Sequence, residues 1–344
     1  MKKAKQSSID LSKLNGAQIA HNYLMKTKGG NYTIEDLNWL NGYINEVLAN
    51  ASSEQKKLKV GLMFVCINQP YWQYIQPVVE GAKAYFLPGH DTEIMVWSDV
   101  PKKGTPEAQK MIDEGAENKE YLEQVIPIIS DLNVTVFPVE SQPWPYPTLM
   151  RYHMFLSEEE YLKKFDYIFY LDLDMRIVNI VGDEILGEGL TAAQHPMYAL
   201  RQQFWYPYEP NPESAAYIKA TGRLLEAPDG RKLFEPLYAA GGFQGGKTQM
   251  FIDAMKAMKE GINKDFKRNY IARWNDESHW NKYLYDNPPS VVLSPSYVYP
   301  DSLIEQYYVK LWGCNYAPKI ITLTKPFSVS KEGGEAAAEM IKTL

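Results

Sequence analysis

The segment FDYIFYLDLDM, residues 165–175, constrains the fold of this 344-residue chain more than any other. Its run of apolar side chains leaves no polar face, which predicts an interior strand covered on both sides of a sheet. The strand ends in Asp172 and Asp174. Helical spacing, as at 71–86 and 149–165, alternates with strand-like runs, so we predict an α/β fold with a mostly parallel sheet. The other predicted strands of the first half are 59–67, 92–99 and 133–139.

The two aspartates at the end of this strand are the first candidate site. Residues i and i+2 of a strand point to the same side, so two carboxylates would lie together and repel each other. A bound Mg²⁺ or Mn²⁺ removes that repulsion, particularly when the ion is also bound to phosphates. Asp-x-Asp alone is common, and a strand ending in solvated acids is the simpler alternative. In phosphatases of the haloacid-dehalogenase type, the second Asp is usually followed by any residue and then by Thr or Val. Here Asp174 is followed by Met175 and then by Arg176, so this type of phosphatase is excluded.

The segment GGFQGGKT, residues 241–248, matches the G-x-x-x-x-G-K-[ST] pattern of a phosphate-binding loop. A true loop of this kind follows the first strand of its fold and precedes the strand that carries the metal-binding Asp. Here the Asp pair lies about seventy residues upstream, in the wrong order. The motif therefore has poor context, and a P-loop NTPase is kept only as an alternative.

The segment NDESHW, residues 275–280, is the third candidate. The simpler interpretation is a helix start that is capped by Asn275 or Asp276 and carries acids in its first turn. An adjacent Asp-Glu pair with a His and flanking aromatic residues is also the composition of a sugar site with a catalytic carboxylate. A non-catalytic sugar-binding module is a further alternative.

Composition limits the classes of function. A net charge of −6 and the absence of a long basic run argue against nucleic-acid binding. The sequence has no apolar run of about 18 residues, so no membrane span is expected. The polar N-terminus does not resemble a signal peptide, so a cytoplasmic protein is expected. Cys66 and Cys314 indicate neither a disulfide scaffold nor a zinc site.

The segments NDESHWNKYL and VLSPSYVYP resemble HDESHxNKYL and VLSPEY of glycosyltransferase family 6. Further segments are similar to that family in the same order, and the resemblance spans about residues 59–325. They are KVGLMFVCI, TLMRYHMF, FDYIFYLDLDM, GDEIL, QHPMYA and LYAAGGFQGGKTQMF.

The resemblance implies a GT-A fold, with a Rossmann-like nucleotide-binding half on a mixed central sheet and a loop-rich acceptor half after residue 190. It implies a retaining transfer of Gal or GalNAc from a UDP-sugar to an acceptor glycan in an α-1,3 linkage. Glu277 would be the catalytic carboxylate, and Asp172 and Asp174 would hold Mn²⁺ or Mg²⁺. The implied acceptor contacts are His195, Trp274 and Asn275. The implied donor contacts are Tyr71, Arg151, Asp172, Asp174, Ala240, Gly241, Gly242, Asp276 and Lys325.

Three departures bear on specificity. Many bacterial members carry Asn-x-Asn and act without metal, whereas this chain has Asp-x-Asp, so metal dependence is expected. Asn275 stands where the animal enzymes have His. By the resemblance, Ala240 and Gly242 stand at the family's specificity positions. Gly242 would leave room for an N-acetyl group and favours UDP-GalNAc, although Ala240 matches neither residue that the animal enzymes carry there.

We predict a helical N-terminal extension (1–57), a transferase domain (58–325) and a C-terminal tail (326–344).

Overall fold

The structure is a computed structural model that describes residues 57–115, 118–196, 207–219, 223–226, 232–235, 238–303 and 318–324. The predicted N-terminal extension, apart from Lys57, and the predicted tail lie outside these residues, as does Lys325. The division into extension, domain and tail stays a prediction.

Strands and helices alternate through the first half of the described chain. The strands are β1 (Lys59–Cys66), β2 (Asp91–Ser98), β3 (Thr135–Pro138), β4 (Tyr167–Leu171), β5 (Met175–Ile177), β6 (Leu190–Gln194), β7 (Arg223–Glu226), β8 (Lys232–Glu235), β9 (Ala239–Lys247), β10 (Val291–Leu293), β11 (Tyr299–Pro300) and β12 (Ile320–Thr322). The helices are α1 (Gln69–Trp72), α2 (Ile75–Tyr85), α3 (Pro106–Glu114), α4 (Lys119–Asp131), α5 (Tyr146–Leu149), α6 (Arg151–Ser157), α7 (Glu159–Leu162), α8 (Thr248–Phe266) and α9 (Asn275–Asp286).

The central sheet has seven strands in the order β10-β6-β9-β4-β1-β2-β3. Every pairing is parallel except those of β9, which runs antiparallel to both β4 and β6. The predicted α/β fold with a mixed sheet is therefore confirmed. Because β9 is antiparallel, its first residues lie beside the carboxyl end of β4, where the paired aspartates follow.

Both faces of the sheet are covered, as the apolar strands predict. In β4, Phe169 and Leu171 belong to one core cluster, whereas Ile168 and Tyr170 belong to another. Helices α2 and α4 contribute to the first cluster, and α6, α8 and α9 contribute to the second. The site at the end of β4 is thus supported by a core on each side.

One predicted helix, 71–86, is broken in two. Helix α1 ends at Trp72 and α2 begins at Ile75. Pro77 lies in the first turn of α2, where its missing N–H costs nothing, whereas a continuous helix would place its ring against the Gln73 carbonyl. The predicted helix 149–165 is likewise wrong in extent, since α5, α6 and α7 share that region.

The described part of the chain after residue 190 combines regular elements with the predicted loops. It contributes β6, β9 and β10 to the central sheet and adds the helices α8 and α9. The two halves implied by the resemblance therefore share one sheet.

The GGFQGGK part of the motif lies in β9, a strand that is buried except at its last residue, and Thr248 begins α8. The backbone of Phe243–Lys247 pairs with β4, and Gln244–Gly246 also pair with β6. Since these backbone groups already have partners in the sheet, they cannot form the open cradle of N–H groups that a phosphate-binding loop needs. Lys247 instead pairs with Glu188 at the surface.

Replacing Lys247 by alanine is expected to leave UDP affinity within about twofold of wild type and to change stability little, because its ion pair is exposed. Calorimetric titration with UDP measures the affinity. Lys256→Ala, a matched change on the exposed side of α8, is the control. A loss of UDP binding in the Lys247 variant alone would restore the P-loop alternative.

Candidate active site

Three elements meet at one end of the sheet and bring most of the predicted site residues together. The backbone N–H of Asp172, after β4, donates to the Gly242 carbonyl of β9 at 3.0 Å. The N–H of Gly241 donates to Glu277 Oε2 in the first turn of α9 at 2.7 Å. Segments that are far apart in sequence, such as those of Gly241 and Glu277 at a separation of 36 residues, thereby form one site.

Asp172 and Asp174 line the same open pocket. Tyr71 and Arg151, both predicted as ligand contacts, line the same pocket. Its remaining wall is largely apolar and includes a residue that sequence reasoning missed, Trp144, beside Val65, Ile67, Pro147, Thr148, Tyr170 and Leu173. An apolar pocket with two carboxylates and a guanidinium at one end suits a ligand with a flat apolar part and a charged part.

Arg151 joins the acids of two different elements. Its Nη1 lies 3.3 Å from Asp172 Oδ1 and 3.4 Å from Asp276 Oδ2. The guanidinium is buried and stands 4.3 Å from the centre of the Tyr170 ring. Burial alone would lower its pKa, but Asp276, Tyr170 and Asp172 raise the pKa above its usual value, so Arg151 stays charged. Removal of this charge would leave Asp276 buried without its cation.

Two short hydrogen bonds fix the carboxylate of Glu277. Tyr238 donates its hydroxyl to Oε1 at 2.7 Å, and Gly241 donates its N–H to Oε2 at 2.7 Å. Burial raises the pKa of Glu277 to about 7, and the two hydrogen bonds act in the opposite direction. Glu277 therefore holds a fixed orientation and changes charge close to neutral pH. Sequence reasoning missed Tyr238, whose partner lies 39 residues away.

Asp276 points into the protein. It lies in the first turn of α9 with Glu277, as the simpler interpretation expected, but neither Asp276 nor Asn275 is the helix cap. Asp276 is 4% exposed, and burial raises its pKa to about 6 against the lowering effect of Arg151. The N-cap position of α9 is Trp274, which makes no side-chain capping bond. Asn275 begins the helix with φ of 51°, a conformation that asparagine tolerates better than most residues.

Gln244 is a second residue that sequence reasoning missed. It is fully buried in β9, and its Nε2 donates to the Gly241 carbonyl at 2.9 Å and to Asp276 Oδ2 at 3.4 Å. Its Oε1 accepts the hydroxyl of Tyr152 at 2.9 Å. The amide thus ties Asp276 to the strand segment that orients Glu277. A lone amide in a strand otherwise made of Gly, Ala and Phe with a Lys at its end was the available signal.

Gly241 and Gly242 lie where side chains of other elements approach the strand closely. A Cβ on Gly241 would stand 2.9 Å from Glu277 Cβ. A Cβ on Gly242 would stand 2.5 Å from Met175 Cε and 2.9 Å from Asp172 Oδ2. These contacts let the ends of β4 and α9 approach the backbone of β9. Ala240, the third predicted residue of this segment, is buried in the core.

The predicted acceptor contacts lie around Tyr238 and the start of α9. The backbone N–H of His195, just after β6, donates to the Tyr238 carbonyl, and the His195 ring meets the Tyr238 ring at 5.8 Å. Burial lowers the pKa of His195 to about 4, so its ring is neutral at physiological pH. Trp274 is 46% exposed. Tyr238 therefore connects His195 to the carboxylate of Glu277.

In the described part of the chain, no group of three or more His, Cys, Asp or Glu side chains is arranged to hold a metal ion. Asp172 and Asp174 supply two hard oxygen donors to one pocket. Magnesium-type cations are commonly held by one or two carboxylates together with phosphates of a ligand. The donor set therefore fits a cation shared with a phosphate-bearing ligand and does not fit an all-protein cage.

Among the helices that the structure describes, none combines the length and the apolar character needed to cross a bilayer.

The profile of glycosyltransferase family 6 matches residues 118–319, which include every predicted site residue except Tyr71 and Lys325. The chain is 28% identical over 266 residues to histo-blood group ABO system transferase 1 of Rattus norvegicus, covering 76% of this chain and 67% of that protein. It is 32% identical over 181 residues to the O-antigen biosynthesis glycosyltransferase WbnI of Escherichia coli, covering 52% and 72%. It is 26% identical over 263 residues to globoside alpha-1,3-N-acetylgalactosaminyltransferase 1 of Gallus gallus, covering 76% and 68%.

Proposed function

The chain belongs to glycosyltransferase family 6, and from this premise we propose that it transfers GalNAc or Gal from a UDP-sugar to an acceptor glycan. The proposed product carries an α-1,3 linkage, formed with retention at the anomeric carbon. The observation that carries the proposal is the Glu277 carboxylate, held by Gly241 and Tyr238 beside the cluster of Asp172, Arg151 and Asp276. Family membership favours neither an NTPase nor a non-catalytic sugar-binding module.

The pocket that Tyr71 and Trp144 share with the two aspartates is the proposed UDP site. The aromatic rings suit the face of the base, and Arg151 lies at the charged end, where the diphosphate would lie. Asp172 and Asp174 would hold Mn²⁺ or Mg²⁺, and such a cation supplies positive charge for the leaving diphosphate. Lys325, which lies outside the described residues, is proposed to contact the diphosphate.

Glu277 is the proposed catalytic carboxylate. During transfer, the bond from the anomeric carbon to the diphosphate oxygen breaks, and positive charge develops on the sugar ring. An ionised Glu277 can either attack that carbon or stabilise its charge, and both roles need the same fixed, deprotonated oxygen. Asp276, held by Arg151 and Gln244, is proposed to bind a hydroxyl of the donor sugar. His195, Trp274 and Asn275 are proposed to contact the acceptor.

A donor screen tests the proposal. We expect UDP release from UDP-GalNAc or UDP-Gal in the presence of Mn²⁺ and an acceptor oligosaccharide, with the anomeric configuration of the product read by NMR. Gly242 favours UDP-GalNAc over UDP-Gal as the better donor. Absence of transfer from every UDP-sugar, despite sugar binding, would support the binding-module alternative.

The activity is expected to rise with pH through about 7. The pKa of Glu277 is raised to about 7 and that of Asp276 to about 6, so both are protonated below these values and lose their proposed roles there. Measured between about pH 5 and about pH 9, kcat/KM should increase and then level off, because this parameter reports the free enzyme. A kcat/KM that falls as pH rises across this range would contradict an ionised Glu277.

The predicted domain division remains part of the proposal. The family match at 118–319 lies inside the predicted transferase domain of residues 58–325. A cytoplasmic location is likewise a proposal, which fractionation of the source cells would test.

A further inference from the structure

A buried carboxylate outside the site described above joins two segments near the proposed acceptor contacts. Glu209 is 1% exposed. Its Oε2 accepts the backbone N–H of Arg273 at 2.5 Å, and its Oε1 accepts the hydroxyl of Tyr270 at 2.7 Å. Oε1 also accepts the backbone N–H of Asn211 at 2.8 Å. Glu209 therefore fixes the segment that immediately precedes Trp274 and α9.

The segment that carries Glu209 also holds the indole of Trp274. The ring N–H donates to the carbonyl of Pro207 at 3.0 Å, while the backbone N–H of Trp274 donates to Ser278 Oγ at 3.0 Å. Trp274 is nevertheless 46% exposed. An exposed aromatic ring that is held at its backbone and at its polar tip offers a fixed apolar surface, which suits the C–H face of a sugar.

A second anchor keeps this segment against the core. Asp265, at the end of α8, accepts the hydroxyl of Ser214 at 2.6 Å and the N–H of Ala215 at 2.7 Å. The segment from Pro207 to Ala215 is therefore tied at two places. Asp265 anchors its far end, so Glu209 is the tie that acts directly on the residue next to Trp274.

We propose that Glu209 is a positioning residue that holds the Trp274 indole as the stacking surface for the acceptor sugar. The inference rests on the proposed function, since it assigns the acceptor to this surface. Three donors converge on Glu209, and only a carboxylate can accept from all of them. In glutamine, one oxygen becomes an NH₂ group that would face the N–H of Arg273 or that of Asn211. Loss of the Arg273 contact frees the backbone beside Trp274, and loss of the Asn211 contact loosens the segment whose Pro207 carbonyl holds the indole.

The test compares Glu209→Gln with Glu213→Gln, an exposed change on the same segment. Transfer kinetics with an oligosaccharide acceptor are measured alongside the donor KM and the affinity for UDP. We expect Glu209→Gln to raise the acceptor KM at least about tenfold, the effect of one lost charge-assisted hydrogen bond. The donor KM, the UDP affinity and the Glu213 control should stay at wild-type values.

The double variant Glu209→Gln/Trp274→Ala distinguishes positioning from a general structural role. If Glu209 acts through the indole, its effect should vanish once Trp274 is absent, because coupled residues are non-additive. An undiminished effect of Glu209→Gln in the Trp274→Ala background would overturn the proposal, as would equal rises in donor and acceptor KM. A wild-type acceptor KM in folded Glu209→Gln would also overturn it.

Tyr270→Phe serves as a milder variant should Glu209→Gln fail to fold. It removes one donor to Oε1 and leaves the carboxylate in place. A smaller rise in acceptor KM alone, absent in the Trp274→Ala background, supports the proposal, and an unchanged acceptor KM overturns it. Failure of the proposed function is separate, because it would appear as absence of transfer by the wild-type protein.

Discussion

Glu277→Gln should lower sugar transfer by about a thousandfold or more while UDP binding stays unchanged. Glutamine has the shape of glutamate but no charge, so it can neither attack the anomeric carbon nor stabilise positive charge there. The amide oxygen can still accept the N–H of Gly241. The NH₂ group can donate to the Tyr238 oxygen, whose hydroxyl is free to rotate. The site should therefore remain folded, and the loss should appear in kcat.

The measurements are initial rates of transfer with the preferred UDP-sugar and calorimetric titration with UDP. Glu160→Gln, an exposed glutamate on α7, is a matched control that should keep wild-type values in both. Transfer by Glu277→Gln within about tenfold of wild type would exclude a catalytic role for this carboxylate. Loss of UDP binding would instead indicate a disturbed site.

Asp172→Asn is expected to lower metal-dependent transfer by about a hundredfold or more, because a neutral amide is a poorer ligand for a hard cation. It should also weaken the binding of Mn²⁺ in the presence of UDP, which the electron paramagnetic resonance of free Mn²⁺ reports independently of activity. The Tyr170 hydroxyl, 2.5 Å from Asp172 Oδ1, can donate equally to an amide oxygen. Local structure should therefore survive the substitution.

Chelation provides the complementary test. EDTA should remove the activity of the wild-type protein, and added Mn²⁺ or Mg²⁺ should restore it. Asp131→Asn, an exposed aspartate at the end of α4, is the control. Activity that survives both EDTA and Asp172→Asn would exclude the metal role, while membership of the family would stand.

Local sequence patterns predicted those parts of the fold that depend on short-range physics. The apolar runs predicted β1, β2, β3 and β4 to within a few residues, because a strand buried on both faces needs a continuous apolar sequence. The position of Pro77 could have predicted the break between α1 and α2. The helical spacing alone did not indicate that break. The glycine-rich β9 was harder, since glycine has low strand propensity and the segment matched a loop motif.

The connecting residues of the site could not be predicted in this way. Tyr238, Gln244 and Glu209 each act on residues that lie 32 to 64 positions away in sequence. Apart from the lone amide of Gln244 in a strand of small residues, nothing in their own neighbourhood distinguishes them from ordinary core or loop residues. The family resemblance supplied the acids that are proposed to react and bind, whereas the groups that hold those acids came from the three-dimensional arrangement.

The sequence by itself determined the α/β class, the strand that ends in two aspartates and the acid pair of α9, because apolar runs and residue types carry that information locally. Only the tertiary structure decided that β9 runs antiparallel between β4 and β6. That direction brings Gly241 to Glu277 and Gly242 to Asp172, and it leaves GGFQGGKT as a strand. The physical reason is that strand direction and close approach depend on contacts between distant segments, which no local pattern encodes.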